Sequence, residues 1–176
     1  MSSLLIEDNL QFDFSECKPC KPVEKFDSDE KSTYGMMAVD FVAETADSLY
    51  FIEVKDFQHP KATSERRKND FKMLIASIED KDAIFPLQMG QKIKDSLLRA
   101  YAQGEKINKD VIYLLLINCD KLAEKERGLL ATKISGHIPT GLNDNRRFSN
   151  FSNIRFEIVD ARKIKSCYGI NCTAMQ

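Results

Sequence analysis

The run Val111-Ile112-Tyr113-Leu114-Leu115-Leu116-Ile117 constrains this chain more than any other stretch. Side chains alternate between the two faces of a strand, yet this run is apolar at every position until it ends at Asn118-Cys119-Asp120. Such a strand belongs in the middle of a sheet that is covered on both sides. A second run, Tyr50-Phe51-Ile52-Glu53-Val54-Lys55-Asp56-Phe57, reads as another such strand, with Ala38-Val39-Asp40-Phe41-Val42 as its neighbour. The polar link between them, residues 43–48, is short enough for a hairpin.

These two strands carry ionisable groups where the pattern asks for apolar ones. Glu53 and Lys55 point to the same face, roughly 6–7 Å apart, together with Leu49, Phe51 and Phe57. Tyr50, Ile52 and Val54 make the opposite face apolar as well. Charges held there are expensive unless they pair, bind something or react. One reading is a pair of half-exposed strands in which Glu53 and Lys55 neutralise each other. Asp40, between Val39 and Phe41, favours another. An acid on one strand and Glu-x-Lys on the next is what a divalent-metal site for phosphodiester cleavage requires. Carboxylates of Asp40 and Glu53, with the Val54 carbonyl, suit Mg²⁺ or Mn²⁺. Lys55 then orients or deprotonates the attacking water and steadies charge on the phosphate.

With these residues in view, the chain resembles the PD-(D/E)xK nuclease superfamily, on Asp40, Glu53 and Lys55 within Phe-Ile-Glu-Val-Lys. Val39 stands where the proline of the eponymous motif would be. The resemblance spans about residues 36–118 and extends toward 160. It implies a restriction-endonuclease-like core, a Mg²⁺- or Mn²⁺-dependent deoxyribonuclease, and catalytic roles for Asp40, Glu53 and Lys55. The family often adds an acid from an N-terminal helix, for which Glu7 and Glu24 are the candidates. Residues 4–10 are short for a helix, however, and Leu10-Gln11-Phe12-Asp13-Phe14 alternates like a strand. The family also contains inactive members that serve as protein-binding subunits or toxin inhibitors, which is the alternative function.

The remaining pattern is α/β, a mixed central sheet flanked by helices. A helix is expected from Ala62 or Thr63, with Phe71, Leu74, Ile75 and Ile78 inward. A second runs from about Leu87 to Gln103 with Leu87, Ile93, Leu97, Leu98 and Tyr101 on one side, and a third covers 121–134. Residues 136–150 read as loop and 153–160 as a last strand. One domain over residues 1–176 is expected, its core about 36–160. Hydrophobic content of 43%, charged content of 30% and a net charge of −1 describe an ordinary globular protein without a global basic field. No signal peptide or membrane span is expected, and a cytoplasmic location follows.

Secondary candidates surround this centre. Arg66, Arg67 and Lys68 could contact DNA phosphates, although adjacent helical residues cannot both point inward. Arg146 and Arg147 lie in an asparagine-rich loop of the kind that often carries binding residues. Gln88 and Lys92 share a helix face, one turn apart; the resemblance suggests support of the metal site or DNA contact, and a solvated face is the plainer reading. Cys17 and Cys20, with Cys167 and Cys172, could hold zinc or an iron–sulfur cluster, free thiols being the default. Expected partners are DNA and either a second copy or another protein, with no membrane.

Overall fold

The structure is a computed structural model that describes residues 4–27, 35–80, 82–104, 107–140 and 153–175. Its centre is a five-stranded mixed sheet in the order β3-β4-β5-β6-β7. The strands are β3 (Glu24–Lys25), β4 (Phe41–Glu44), β5 (Ser48–Asp56), β6 (Asp110–Asn118) and β7 (Ile154–Val159). β3, β4 and β5 run antiparallel, whereas β5, β6 and β7 are parallel. The expected hairpin is present, with Phe41 opposite Ile52 and Glu44 opposite Leu49. The apolar run becomes β6, flanked by β5 and β7, with Val111, Tyr113, Leu114, Leu115, Leu116 and Ile117 all without solvent exposure.

Helices α1 (Ser64–Glu79), α2 (Ile84–Ala102) and α3 (Glu124–Ser135) are the connections between the parallel strands. They cover one face of the sheet, where Leu49, Phe51, Tyr113 and Leu115 pack with Leu74, Ile93, Leu97, Leu130 and Ile134. The other face is covered by a second, antiparallel sheet, β1 (Leu4–Glu7), β2 (Leu10–Asp13) and β8 (Asn171–Ala174), together with helix α4 (Ala161–Tyr168). There Phe12 and Phe14 pack on Phe41, ring centroids 5.0 and 6.0 Å apart, beside Ile52, Val54, Leu114, Ile164 and Ile170. The period-2 alternation of β5 and β6 thus divides two separate apolar layers. Among the described residues no helix is long and apolar enough to cross a membrane.

The N-terminal segment is a hairpin, β1 paired with β2, in keeping with the strand-like alternation of residues 10–14, so residues 4–13 do not form the helix that the resemblance implies. Two expectations need correction. Helix α2 starts at Ile84, so Pro86 lies within its first turn. A proline is tolerated there because the first-turn N–H groups have no intrahelical acceptor. The buried side of α2 is only partly the expected one: Ile93 and Leu97 are buried, but Leu87, Leu98 and Tyr101 are exposed, and Met89, Lys92, Asp95, Ser96 and Ala100 are buried instead. The C-terminal elements α4 and β8 went unanticipated. Residues 171–174 pair with residues 10–13 from the far end of the chain, a partnership that local pattern cannot announce.

Local signals set the element ends. Thr63 caps α1 by accepting the Arg66 N–H at 3.2 Å. Asp160 caps α4 by accepting the Lys163 N–H at 2.8 Å, and Gly169, at φ 65°, turns that helix into β8. The Lys163 N–H bond, ahead of the opposing effect of burial, holds the Asp160 carboxyl below its usual value. Its contribution is therefore present above the unfolded carboxylate range and lost as pH falls through the lower folded value. Asp160→Ala is expected to destabilise the protein by about 1 kcal/mol at neutral pH. That difference should shrink below about pH 4, as denaturant midpoints at both pH values will show.

Helix α2 sits unusually close to the turn after α3. A Cβ on Gly90 would lie 2.4 Å from His137 Cβ and 2.8 Å from the His137 carbonyl oxygen. Gly90→Ala is expected to push α2 off this turn and destabilise by about 1–3 kcal/mol, read as a lowered unfolding midpoint.

Candidate functional site

The antiparallel register that joins Phe41 to Ile52, carried one residue further, brings Asp40 opposite Glu53. Asp40 still uses its N–H in the ladder, donating to the Ile52 carbonyl at 3.0 Å. Its carboxylate turns into the sheet and accepts the Val54 N–H at 2.6 Å. Both acids are buried, Glu53 completely. Glu53 faces the helical layer with Leu115 beside it on β6. Lys55, two residues on, bonds the Glu53 Oε1. Its side chain is 31% exposed, so Lys55 is the member of the group that reaches toward solvent.

A fourth charge comes from α2. Lys92 Nζ bridges both Glu53 oxygens, at 2.8 and 2.9 Å. Further along the same face, Asp95 accepts the Met37 N–H at 2.9 Å and Ser96 the Val39 N–H at 3.1 Å. Gln91 in turn holds Asp95, at 2.6 Å. One helix therefore grips Glu53 directly and, through the backbone just ahead of it, the segment that carries Asp40. Tyr113 completes the floor, its hydroxyl donating to the Met89 carbonyl at 3.2 Å.

Burial, followed by the negative charge of Asp40, pushes the Glu53 carboxyl above its ordinary value. Burial alone would lower Lys55, but the Glu53 carboxylate, with help from Asp40 and Asp8, outweighs it and raises the ammonium. Burial and then the charges of Glu53 and Asp40 hold the Tyr113 phenol well above its usual range. Lys55 and Tyr113 are thus proton-bearing donors at neutral pH. The donor set suits a hard divalent cation: two carboxylates whose charges act on each other, with no sulfur or imidazole. The upward shift of Glu53 marks a demand for positive charge, which Lys55 and Lys92 meet in this arrangement.

The secondary candidates divide. Glu7 lies in β1 and pairs with Lys25 at 3.3 Å, and Glu24 is exposed in β3. The N-terminal acid whose charge reaches Lys55 is instead Asp8, held in the β1–β2 turn at φ 54°. Asp8, Asp56 and Arg66 line a cleft of about 290 Å³ beside the end of β5. Arg67 and Lys68 turn to another, of about 700 Å³, shared with Lys72, Asp120 and Lys121. Helix α1 separates its two arginines between clefts, as adjacent helical positions must. Gln88 is exposed and lines the apolar cleft between α1 and α2; only Lys92 of that pair enters the site. Arg146 and Arg147 lie outside the described residues.

All five cysteines are free thiols, Cys17 and Cys172 being covered and Cys20 and Cys167 exposed. Burial raises Cys17, and burial with the nearby Asp56 charge pushes Cys172 up to about 12. Among the described residues no three His, Cys, Asp or Glu side chains form a metal-holding group.

Lys92, Asp95 and Ser96 are what sequence reasoning missed or misplaced. Their signal was present: they share the spacing of Met89, Ile93, Leu97 and Ala100, the apolar stripe of α2. Polar residues interrupting a buried stripe call for partners. Compared with known proteins, the chain matches no family model, no curated protein and no solved structure.

Proposed function

We propose that this chain is a divalent-metal-dependent deoxyribonuclease whose core belongs with the PD-(D/E)xK enzymes. The observation that carries the reading is the meeting of Asp40, Glu53 and Lys55 at the carboxyl end of β5, the end of parallel strands where open α/β sheets bind ligands. Asp40, Glu53 and the Val54 carbonyl would hold Mg²⁺ or Mn²⁺, which polarises a phosphate oxygen and activates water. The chain's own groups do the rest. The Val54 N–H fixes the Asp40 carboxylate. Lys55, kept cationic by Glu53 and open to solvent on one side, donates to the phosphate oxygens as negative charge builds on them. The cleft with Arg67, Lys68, Lys72 and Lys121 offers a path for the flanking backbone phosphates.

The test is cleavage of plasmid and single-stranded DNA in Mn²⁺, Mg²⁺ or chelator. Activity is expected only with metal, and Asp40→Asn and Lys55→Ala should remove it. Cleavage indifferent to both changes sinks the reading.

One observation favours a second reading, a binding subunit on the same fold. Both oxygens of Glu53 are engaged by lysine ammoniums and its carboxylate has no solvent exposure, as in a purely structural ion cluster. That reading predicts no heat of Mn²⁺ binding and a stable complex with another protein.

A further inference from the structure

We propose that Lys92 is the resident counter-cation of the carboxylate pair, and that a divalent cation enters only as the Lys92 ammonium leaves Glu53. The inference rests on the metal-site reading above and concerns what regulates that site.

Lys92 is not placed for solvent or for substrate. Its neighbours on α2, Met89, Ile93 and Ser96, are buried, and its ammonium bridges the two oxygens of a carboxylate that has no exposure at all. A buried ion pair is weak support for stability, since apolar residues of similar volume often do as well. Its presence on one of the two carboxylates that would hold metal calls for an electrostatic explanation.

Charge supplies it. Two carboxylates, Asp40 and Glu53, face two ammoniums, Lys55 and Lys92, so these four groups sum to zero charge, with Asp8 acting on Lys55 from the β1–β2 turn. A dication added to that set would leave two uncompensated positive charges against buried carboxylates, which is strongly unfavourable. With the Lys92 ammonium withdrawn on its flexible stem, the metal, Lys55 and the two acids carry one positive charge. The single negative charge of a phosphodiester then restores neutrality. Lys92 thus holds the acids together without metal and makes loading favourable chiefly when phosphate is present.

The experiment is Mn²⁺ titration calorimetry on the full chain, wild type, Lys92→Met and Lys92→Arg, with thermal unfolding in the same buffers. Lys92→Met is expected to bind Mn²⁺ at least about tenfold more tightly, a factor worth about 1.4 kcal/mol, and to gain more in melting temperature on loading. Lys92→Arg should resemble wild type. Equal affinity in Lys92→Met and wild type overturns the proposal and leaves the metal site standing. Weaker binding in Lys92→Met also overturns it, making Lys92 a support. Absence of binding in every protein overturns both.

A second measurement needs no variant: acetylation of wild-type lysines read by mass spectrometry. Lys92 should be protected without metal and become several-fold more reactive in Mg²⁺ with a non-cleavable phosphodiester. Unchanged protection overturns the proposal.

Discussion

Glu53→Ala is expected to destabilise the protein by about 3–5 kcal/mol, the range for removing one partner of a buried ion pair. The loss comes less from missing attraction than from what stays behind. Lys92 would keep its place on the buried face of α2 without either of the two oxygens it bridges. Lys55, partly exposed, can turn to water and suffers less. The double variant Glu53→Ala with Lys92→Met is therefore expected to recover a large part of the single loss, because the stranded charge is gone. Urea midpoints for the two singles and the double give the coupling directly. A cost below about 1 kcal/mol for Glu53→Ala would mean that the two side chains do not meet.

The second large effect is on catalysis. Asp40→Asn keeps the size of the side chain and an oxygen that can accept the Val54 N–H, so the strand start should hold. It removes one of the two negative charges, which relieves the repulsion on Glu53 and weakens any dication in the site. Cleavage should fall by at least about 10²–10³-fold, the usual effect of losing one group that stabilises transition-state charge. Lys55→Ala should fall by a comparable factor for a different reason, loss of the donor at the solvent-facing side of the cluster. The unfolding midpoint of Asp40→Asn is expected to fall only modestly, the relieved repulsion on Glu53 offsetting part of the charge lost opposite Lys55. An inactive variant that is also unfolded says nothing of chemistry, so circular dichroism must accompany the assay.

The site divides into a part visible in one dimension and a part that is not. Alternation along β5 places Glu53 and Lys55 on one face before any fold is known. The hairpin length brings Asp40 level with them, and the unbroken apolar character of residues 111–117 demands a covered central strand. Caps such as Thr63 and the helical spacing after it are equally local. Each of these follows from geometry within a few residues.

Other features depend on what packs opposite. The spacing of α2 puts Leu87, Ile93, Leu97, Leu98 and Tyr101 on one side, yet of these the interior receives only Ile93 and Leu97, joined by Met89, Lys92 and Ser96. A helix with apolar residues on several sides has more than one face it could bury, and docking selects among them. Only that choice turns Lys92 from a solvated lysine into the partner of Glu53, thirty-nine positions away in the chain. The same holds for Asp8 beside Lys55 and for β8, which closes on β2. Hydrophobic pattern states that a charge on β5 must find an answer in the interior; the packing of the layers supplies which side chain answers it.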